Sequence, residues 1–191
     1  MISWPLTLPM CAPISDGAAA AILVGEDALD RFDRKRAVKI CASVLGSGSD
    51  RKPQEVEKHI CHRAALKAYD IAGVGPEDMS VAEVHDASAF AEVVQVENLG
   101  FCKFGDGGKL AERGETALGG RIPVNPSGGL ESKGHPIGAT GLGQVHELVL
   151  QLRGEAGHRQ VENARFAIAE NGGGFHGYEE AAACITILGR E

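Results

Sequence analysis

The chain has 191 residues, of which 43% are hydrophobic and 24% charged, and its formal net charge is -7. These values are typical of a folded globular domain of ordinary size and exclude a disordered or fibrous chain. The negative balance argues against non-specific binding to nucleic acid. No apolar run reaches the length that crosses a membrane, and the first residues lack the pattern of a secretory signal, so we expect no membrane span.

The five cysteines are scattered along the chain without paired spacing: Cys11, Cys41, Cys61, Cys102 and Cys184. An odd, unpaired set predicts a reducing, cytoplasmic setting with neither a disulfide framework nor a zinc site. His59 and His62 are three residues apart on a predicted helix, but the sequence offers no further ligands beside them. We therefore expect no metal site there and predict that this helix face is solvated.

The first 33 residues contain one predicted strand and one short helix. Asp16-Gly17 indicates a turn, and the alanine-rich run after it ends in Ile-Leu-Val, which favours a closely packed strand within residues 14–24. Residues 26–32 favour a short helix. Taken alone, this opening is an ordinary strand and helix leading into the next domain.

From residue 34 onward, strands and helices alternate. Strands are predicted at residues 37–44, 79–84, 161–169 and 181–188. Helices are predicted at residues 54–73, from about residue 88 to 99, and at residues 138–152. A glycine-rich charged loop covers residues 99–120, and a turn at residues 170–178 joins the last two strands as a hairpin-like pair. This order predicts an α/β fold in which one mixed β-sheet is layered with helices.

The densest motif is Asn-Pro-Ser-Gly-Gly at residues 125–129, followed by Gly-His-Pro-Ile-Gly-Ala-Thr-Gly at residues 134–141. Pro136 disfavours a helical conformation at His135, so the histidine is predicted to lie on a loop. Pro136 also suits the first position of the helix that follows. An imidazole at the positive end of that helix is favoured in its neutral form, which suits a general base.

A second polar site is predicted where the strand at residues 79–84 ends. His85 and Asp86 follow it directly and precede a helix, and open α/β sheets place ligand-binding residues at this position. Asp86 can equally be the N-cap of the helix. Both roles are compatible, since a cap would fix the loop that presents His85.

These motifs resemble the C-terminal half of the thiolase superfamily, most closely the sterol-carrier-protein-type (lipid-transfer) thiolases. The resemblance rests on the motif at residues 125–141 and extends over nearly the whole chain from Ala37. The Ser-Asp-Gly-Ala-Ala-Ala segment at residues 15–20 is similar to the last strand of the N-terminal thiolase half. The resemblance therefore implies that residues 1–33 are a remnant of that half and that residues 34–191 form the C-terminal thiolase domain.

Thiolases join or split acyl-CoA thioesters by Claisen chemistry, with a nucleophilic cysteine, a base and oxyanion donors. The resemblance implies that His135 activates the nucleophile and helps to hold a thioester oxygen. It also implies that His85, or a water that it holds, supports an oxyanion hole, with Asn125 supporting the site. Amide groups of the glycine run are further candidate donors: Gly172, Gly173 and Gly174.

Two departures from the family pattern limit this prediction. The nucleophilic cysteine belongs to the N-terminal half, and no cysteine here lies in a glycine-rich turn at a helix start. The second, acid/base cysteine is replaced by Ala87 in the His-Asp motif. In the glycine run near the end of the chain, Glu170 or Asn171 occupies the corresponding position, and Glu170 can act as a base if it is desolvated.

We therefore expect the C-terminal part of a thiolase-like acyltransferase, inactive without the half that carries the cysteine. Its substrate would be a coenzyme A thioester, with no covalently bound cofactor. A homo-oligomer, or a partner that supplies the N-terminal half, is expected to cover the face that an isolated half exposes. Two alternatives stay open, namely a retro-aldolase-type lyase subunit acting on a CoA-linked side chain and a non-catalytic assembly or lipid-binding subunit.

Overall fold

The computed structural model describes residues 1–190, and these residues contain four strands and five α-helices. The strands are β1 (Lys39–Ser47), β2 (Val81–Glu83), β3 (Phe166–Gly173) and β4 (Ala182–Gly189). The α-helices are α1 (Ile60–Ala72), α2 (Ala89–Asn98), α3 (Gly107–Glu112), α4 (Gly129–Lys133) and α5 (Thr140–Arg153). Short 3-10 turns lie at Leu8–Met10, Glu26–Arg31, Arg34–Arg36, Val56–Lys58, Pro76–Asp78 and Gly157–Arg159.

The four strands form one sheet in the order β1-β4-β3-β2. Strand β4 is antiparallel to both of its neighbours, whereas β2 is parallel to β3. The prediction of a mixed sheet, with the last two strands as an antiparallel pair, is therefore confirmed. Because successive side chains of a strand point to opposite faces, Val81 and Ala82 enter different cores.

Each face of the sheet is covered by a helix. On one face, Ala64, Ala65 and Ala68 of α1 pack against the sheet in the larger hydrophobic core. On the other face, Leu148 and Leu152 of α5 pack against the sheet in a second core. Small residues on α1 let the helix approach the sheet closely, and the result is a three-layer arrangement of helix, sheet and helix.

Helix α1 ends as its sequence predicts but begins later. Gly73 follows it in the left-handed conformation at φ 69°, where glycine carries no steric cost. The predicted start at residue 54 is wrong, because His59 caps the helix and its side chain accepts a hydrogen bond from the backbone N–H of Cys61. Residues before His59 form only the short turn Val56–Lys58.

The strand predicted within residues 14–24 does not form. Its one bridge to another segment joins Ile14 to His135, and Ile22 and Leu23 have 84% and 79% of their surface exposed. An extended segment becomes a strand only when a neighbouring strand satisfies its backbone groups, and none of β1 to β4 lies beside this one. The division of the chain at residue 33 stays a prediction.

One edge of the sheet gathers the loops that carry the sequence motifs. The carboxyl ends of β2 and β3 point to the same edge because these strands are parallel. The loops after β2, before α5 and between β3 and β4 meet there. Among residues 1–190, none of the helices is long and apolar enough to cross a membrane.

Candidate active site

The two histidines predicted from the sequence lie against each other, although 50 residues separate them. The Nε2 atoms of His85 and His135 are 3.3 Å apart, and the ring centroids are 4.9 Å apart in an edge-on arrangement. Both side chains are half-buried at the loop edge of the sheet. Burial lowers the pKa of His85, the neighbouring His135 lowers it further, and the charge of Glu180 acts in the opposite direction.

Thr140 fixes which nitrogen of His135 carries the hydrogen. The Thr140 hydroxyl donates to the backbone carbonyl of Pro136 at 3.1 Å, and its oxygen lies 2.7 Å from Nδ1 of His135. Since the hydroxyl hydrogen is already donated to Pro136, Nδ1–H of His135 donates to the Thr140 oxygen. The lone pair of His135 therefore resides on Nε2, the atom that faces His85. This is the tautomer that a general base at this position requires.

Asn125 holds the end of β2 in place through its side chain. It adopts a left-handed conformation with φ 51°, and its side-chain oxygen accepts a hydrogen bond from Val84 N at 2.8 Å. Its amide group donates to Glu92 at 3.0 Å. Burial raises the pKa of that glutamate to about 7. Asn125 thereby fixes the residue that immediately precedes His85, and its predicted support of the substrate site stays a prediction.

Asp86 caps a helix, but not the one that follows it in sequence. Helix α2 is capped by Ser88, whose hydroxyl accepts a hydrogen bond from Ala91 N. The Asp86 carboxylate instead accepts hydrogen bonds from the N–H groups of Leu130 and Glu131 in the first turn of α4, at 2.7 and 3.3 Å. The following helix forms as predicted, but the prediction that Asp86 caps it is wrong, because Asp86 caps a helix that is remote in the sequence. Asp86 therefore ties the His85 loop to the glycine-rich motif.

The glycine run does not form the turn that was predicted. Gly172 and Gly173 are the last two residues of β3 and pair with Ala183 and Ala182 of β4. Gly174 begins the turn, with φ 68°. Strand pairing overrides the local preference of glycine for turns, because β4 offers a continuous partner. That amides of these glycines act as oxyanion donors stays a prediction.

Glu170 and Asn171 point to opposite faces of the sheet, which separates the two candidates that the sequence left open. Asn171 donates to Gln144 of α5 at 3.1 Å. Glu170 is 0% exposed, and its carboxylate accepts hydrogen bonds from His85 N at 2.9 Å and from the thiol of Cys61 at 3.4 Å. Burial raises the pKa of Glu170 to about 8. Glu170 is thus buried behind the loop that carries His85, and its role as an acid/base stays a prediction.

The raised pKa of Glu170 predicts a pH-dependent stability. Because the folded chain holds this proton more tightly than the unfolded chain, the stability it confers at low pH is lost as the pH rises from about 4.5 to 8, by roughly 1 kcal/mol per pH unit. Urea unfolding at pH 5, 7 and 9 measures this loss. Glu170→Gln, which keeps an acceptor for His85 N, is expected to flatten the loss.

Glu112→Gln, at an exposed position of α3, is the control and should leave the pH dependence unchanged. Parallel curves for the wild type and Glu170→Gln would contradict the assignment of a protonated Glu170.

A second polar cluster lies beside Glu170. His59 is only 6% exposed, so the predicted solvated face is wrong, and its Nε2 atom lies 3.4 Å from a carboxylate oxygen of Glu180. The ligand-type atoms of His59, Cys61 and Glu180 lie within 4.8 Å of one another. However, Nδ1 of His59 accepts a hydrogen bond from Cys61 N at 3.2 Å, so Nε2 carries the hydrogen and donates to Glu180. The hydrogen on Nε2 opposes coordination of a metal ion by that atom.

Comparison with known proteins decides the family. Residues 48–190 match the family described as thiolase C-terminal domain-like. The chain belongs to this family. It is 44% identical to an acetyl-CoA acetyltransferase of Methanothermobacter thermautotrophicus, over 100% of this chain and 49% of that protein. It is 45% identical to sterol carrier protein 2 of Rattus norvegicus, over 87% of this chain and 32% of that protein.

Further matches agree with the thiolase assignment. The chain is 37% identical to the benzoylsuccinyl-CoA thiolase subunit BbsB of Thauera aromatica, over 85% of this chain and 43% of that subunit. A solved structure, the Ltp2-ChsH2(DUF35) aldolase, superposes with a TM-score of 0.66 at 23% identity, over 78% of this chain and 38% of that chain. This likeness shows the fold. The chain spans about half, or less, of the length of these curated relatives.

Proposed function

We propose that this chain is the C-terminal part of an acyltransferase that handles acyl-CoA thioesters by Claisen chemistry. The observation that carries the proposal is the histidine pair, in which His135 presents an unprotonated Nε2 and His85 presents Nε2–H. Such a pair offers one base and one hydrogen-bond donor to the same small space. The family membership and the 44% identity to an acetyl-CoA acetyltransferase support the choice of a thioester substrate.

In this proposal the two rings have separate roles. His135 Nε2 takes the proton from a nucleophilic cysteine, and the resulting thiolate attacks the thioester carbonyl. His85 Nε2–H donates to the oxygen that becomes negative, as in an oxyanion hole. The two rings share one hydrogen bond at 3.3 Å, which would be replaced by a thiol bound to His135 and a carbonyl oxygen bound to His85.

The nucleophile has to come from outside these 191 residues. Among residues 1–190, no cysteine is hydrogen-bonded to His85 or His135. Cys61 is 0% exposed, and burial together with the nearby carboxylates raises its pKa, which opposes thiolate formation. A thiolase half carrying the cysteine, in the same parent chain or in another subunit, would complete the site.

Exposed apolar side chains beside the histidine loop support a covering partner. Ile137 is 74% exposed and Leu142 is 43% exposed, and both line a concave surface between α5 and the sheet. Apolar surface of this kind is usually covered in a functional assembly. We propose that the missing half, or a second copy of the chain, covers it. The five free cysteines favour a reducing, cytoplasmic setting for that assembly.

The proposal predicts that activity depends on the missing half. The isolated chain is expected to show no CoA-dependent cleavage of acetoacetyl-CoA, because it lacks the nucleophile. A fusion of this chain to the part of the Methanothermobacter acetyl-CoA acetyltransferase that it does not match is expected to cleave it. Release of acetyl-CoA measures the reaction. Robust cleavage by the isolated chain, or an inactive folded fusion, would overturn the proposal.

A carbon-carbon lyase on a CoA-linked side chain is the second candidate. The observation that favours it is Ala87, which stands where the His-Asp motif of the family carries its acid/base cysteine. A lyase without an acyl-enzyme has little need of the base His135. Lyase activity that survives His135→Ala would therefore favour this candidate over the acyltransferase. A fusion without either activity and without affinity for CoA would favour a non-catalytic assembly or lipid-binding subunit.

A further inference from the structure

Glu180 stands at the end of the turn that joins β3 to β4, and its side chain packs over Gly172 near the end of β3. Its carboxylate accepts a hydrogen bond from Gln95 of α2 at 2.8 Å. The same carboxylate lies 3.4 Å from Nε2 of His59 and 3.8 Å from the thiol of Cys61. Among residues 1–190, the neutral His59 donates to it, and no lysine or arginine lies within ion-pair distance of it.

The thiol of Cys61 connects Glu180 with the buried Glu170. Its Sγ atom is 3.4 Å from Glu170 and 3.8 Å from Glu180, so the thiol hydrogen can be donated to either carboxylate. Cys61 therefore lies between the two carboxyl groups and contacts both. Glu170 in turn accepts a hydrogen bond from the backbone N–H of His85 at 2.9 Å, which connects these three side chains to the histidine pair.

Exposure distinguishes the two carboxylates. The Glu170 residue is 0% exposed, whereas the Glu180 side chain is 21% exposed. Glu180 also influences the site directly, because its negative charge raises the pKa of His85 against the effect of burial. Of the two groups, Glu180 is the one whose side chain is open to a ligand.

We propose that Glu180 is the acid/base residue for the substrate α-carbon, held in position by Gln95 and His59. This inference rests on the proposed acyltransferase function. In the condensation direction, the Glu180 carboxylate takes a proton from the carbon next to the thioester carbonyl. The C–H electron pair becomes the enolate, whose oxygen is held by the histidine pair, and Glu180 becomes a neutral carboxylic acid. In the reverse direction the same proton returns to the carbon.

The test separates α-proton transfer from acyl transfer in the fusion protein. Exchange of the acetyl hydrogens of acetyl-CoA with D2O, followed by mass spectrometry, requires the α-carbon base. Exchange of isotopically labelled CoA into acetyl-CoA requires the nucleophile and His135 but no α-proton step. We expect Glu180→Gln to reduce deuterium incorporation about 100-fold while labelled CoA still exchanges. Glu180→Asp should restore part of the incorporation, and Glu112→Gln should change neither rate.

Each outcome has a defined meaning. Equal loss of both exchanges in Glu180→Gln, or loss of neither, would overturn the role of Glu180 while leaving the acyltransferase intact. Absence of labelled-CoA exchange in the unmodified fusion would overturn the proposed function and this inference with it. Thermal unfolding midpoints of Glu180→Gln and Glu180→Asp that match the wild type show that both variants are folded.

Discussion

Replacing His135 by alanine in the fusion protein is expected to reduce exchange of labelled CoA by about 10²- to 10⁴-fold. The reason is that Nε2 of His135 is the unprotonated atom facing His85, and its removal leaves the incoming thiol without a base. A fixed-time exchange assay at saturating acetyl-CoA measures the effect. The Thr140→Val substitution should reduce the rate less, since it removes the hydrogen-bond acceptor that selects the tautomer but keeps the ring.

His146→Ala provides the matched control, because His146 lies on the exposed side of the same helix α5. This variant should exchange CoA at the wild-type rate. If His135→Ala exchanged CoA at a rate close to that of His146→Ala, His135 would not be the general base. A Thr140→Val variant as slow as His135→Ala would show instead that Thr140 does more than orient the ring.

Replacing Gly129 by alanine is expected to lower the free energy of unfolding by about 3–5 kcal/mol. Gly129 has φ 60°, and a Cβ atom there would lie 2.0 Å from a carboxylate oxygen of Asp86. The left-handed conformation alone costs alanine about 1–2 kcal/mol. Displacing the buried Asp86 also breaks its hydrogen bonds to Leu130 and Glu131, at roughly 1–3 kcal/mol for each group left unsatisfied. Urea unfolding followed by circular dichroism measures the change.

Gly143→Ala is the control for this prediction. Gly143 lies within α5 with open space around its Cα, so alanine there should stabilise the protein by about 0.5–1 kcal/mol. A Gly129→Ala variant as stable as the wild type would mean that Asp86 does not hold the first turn of α4. Loss of stability in Gly129→Ala should also perturb the His85 side-chain signals in NMR spectra, because Asp86 belongs to the same loop.

Much of the fold follows from local sequence signals. The stop of α1 at Gly73 and the hydrophobic composition of β4 lie within short windows. The end of α1 and both ends of β4 were predicted close to where they occur, although α1 begins later than predicted. The incorrect predictions concern features whose interaction partners lie far away in the sequence. The strand expected within residues 14–24 lacks a neighbouring strand, and Gly172 and Gly173 join β3 because β4 pairs with them.

By itself, the sequence determined the family, through the motif at residues 125–141, and the loop position of His135, through Pro136. Both depend on backbone preferences that neighbouring residues impose. Only the tertiary structure decided which groups surround the histidines. Glu180 reaches His59 across 121 positions of the chain, and Asp86 caps α4 across 44. The sequence pattern of a short stretch carries no information on such pairings, because the packing of the helices on the sheet sets the distances between these side chains.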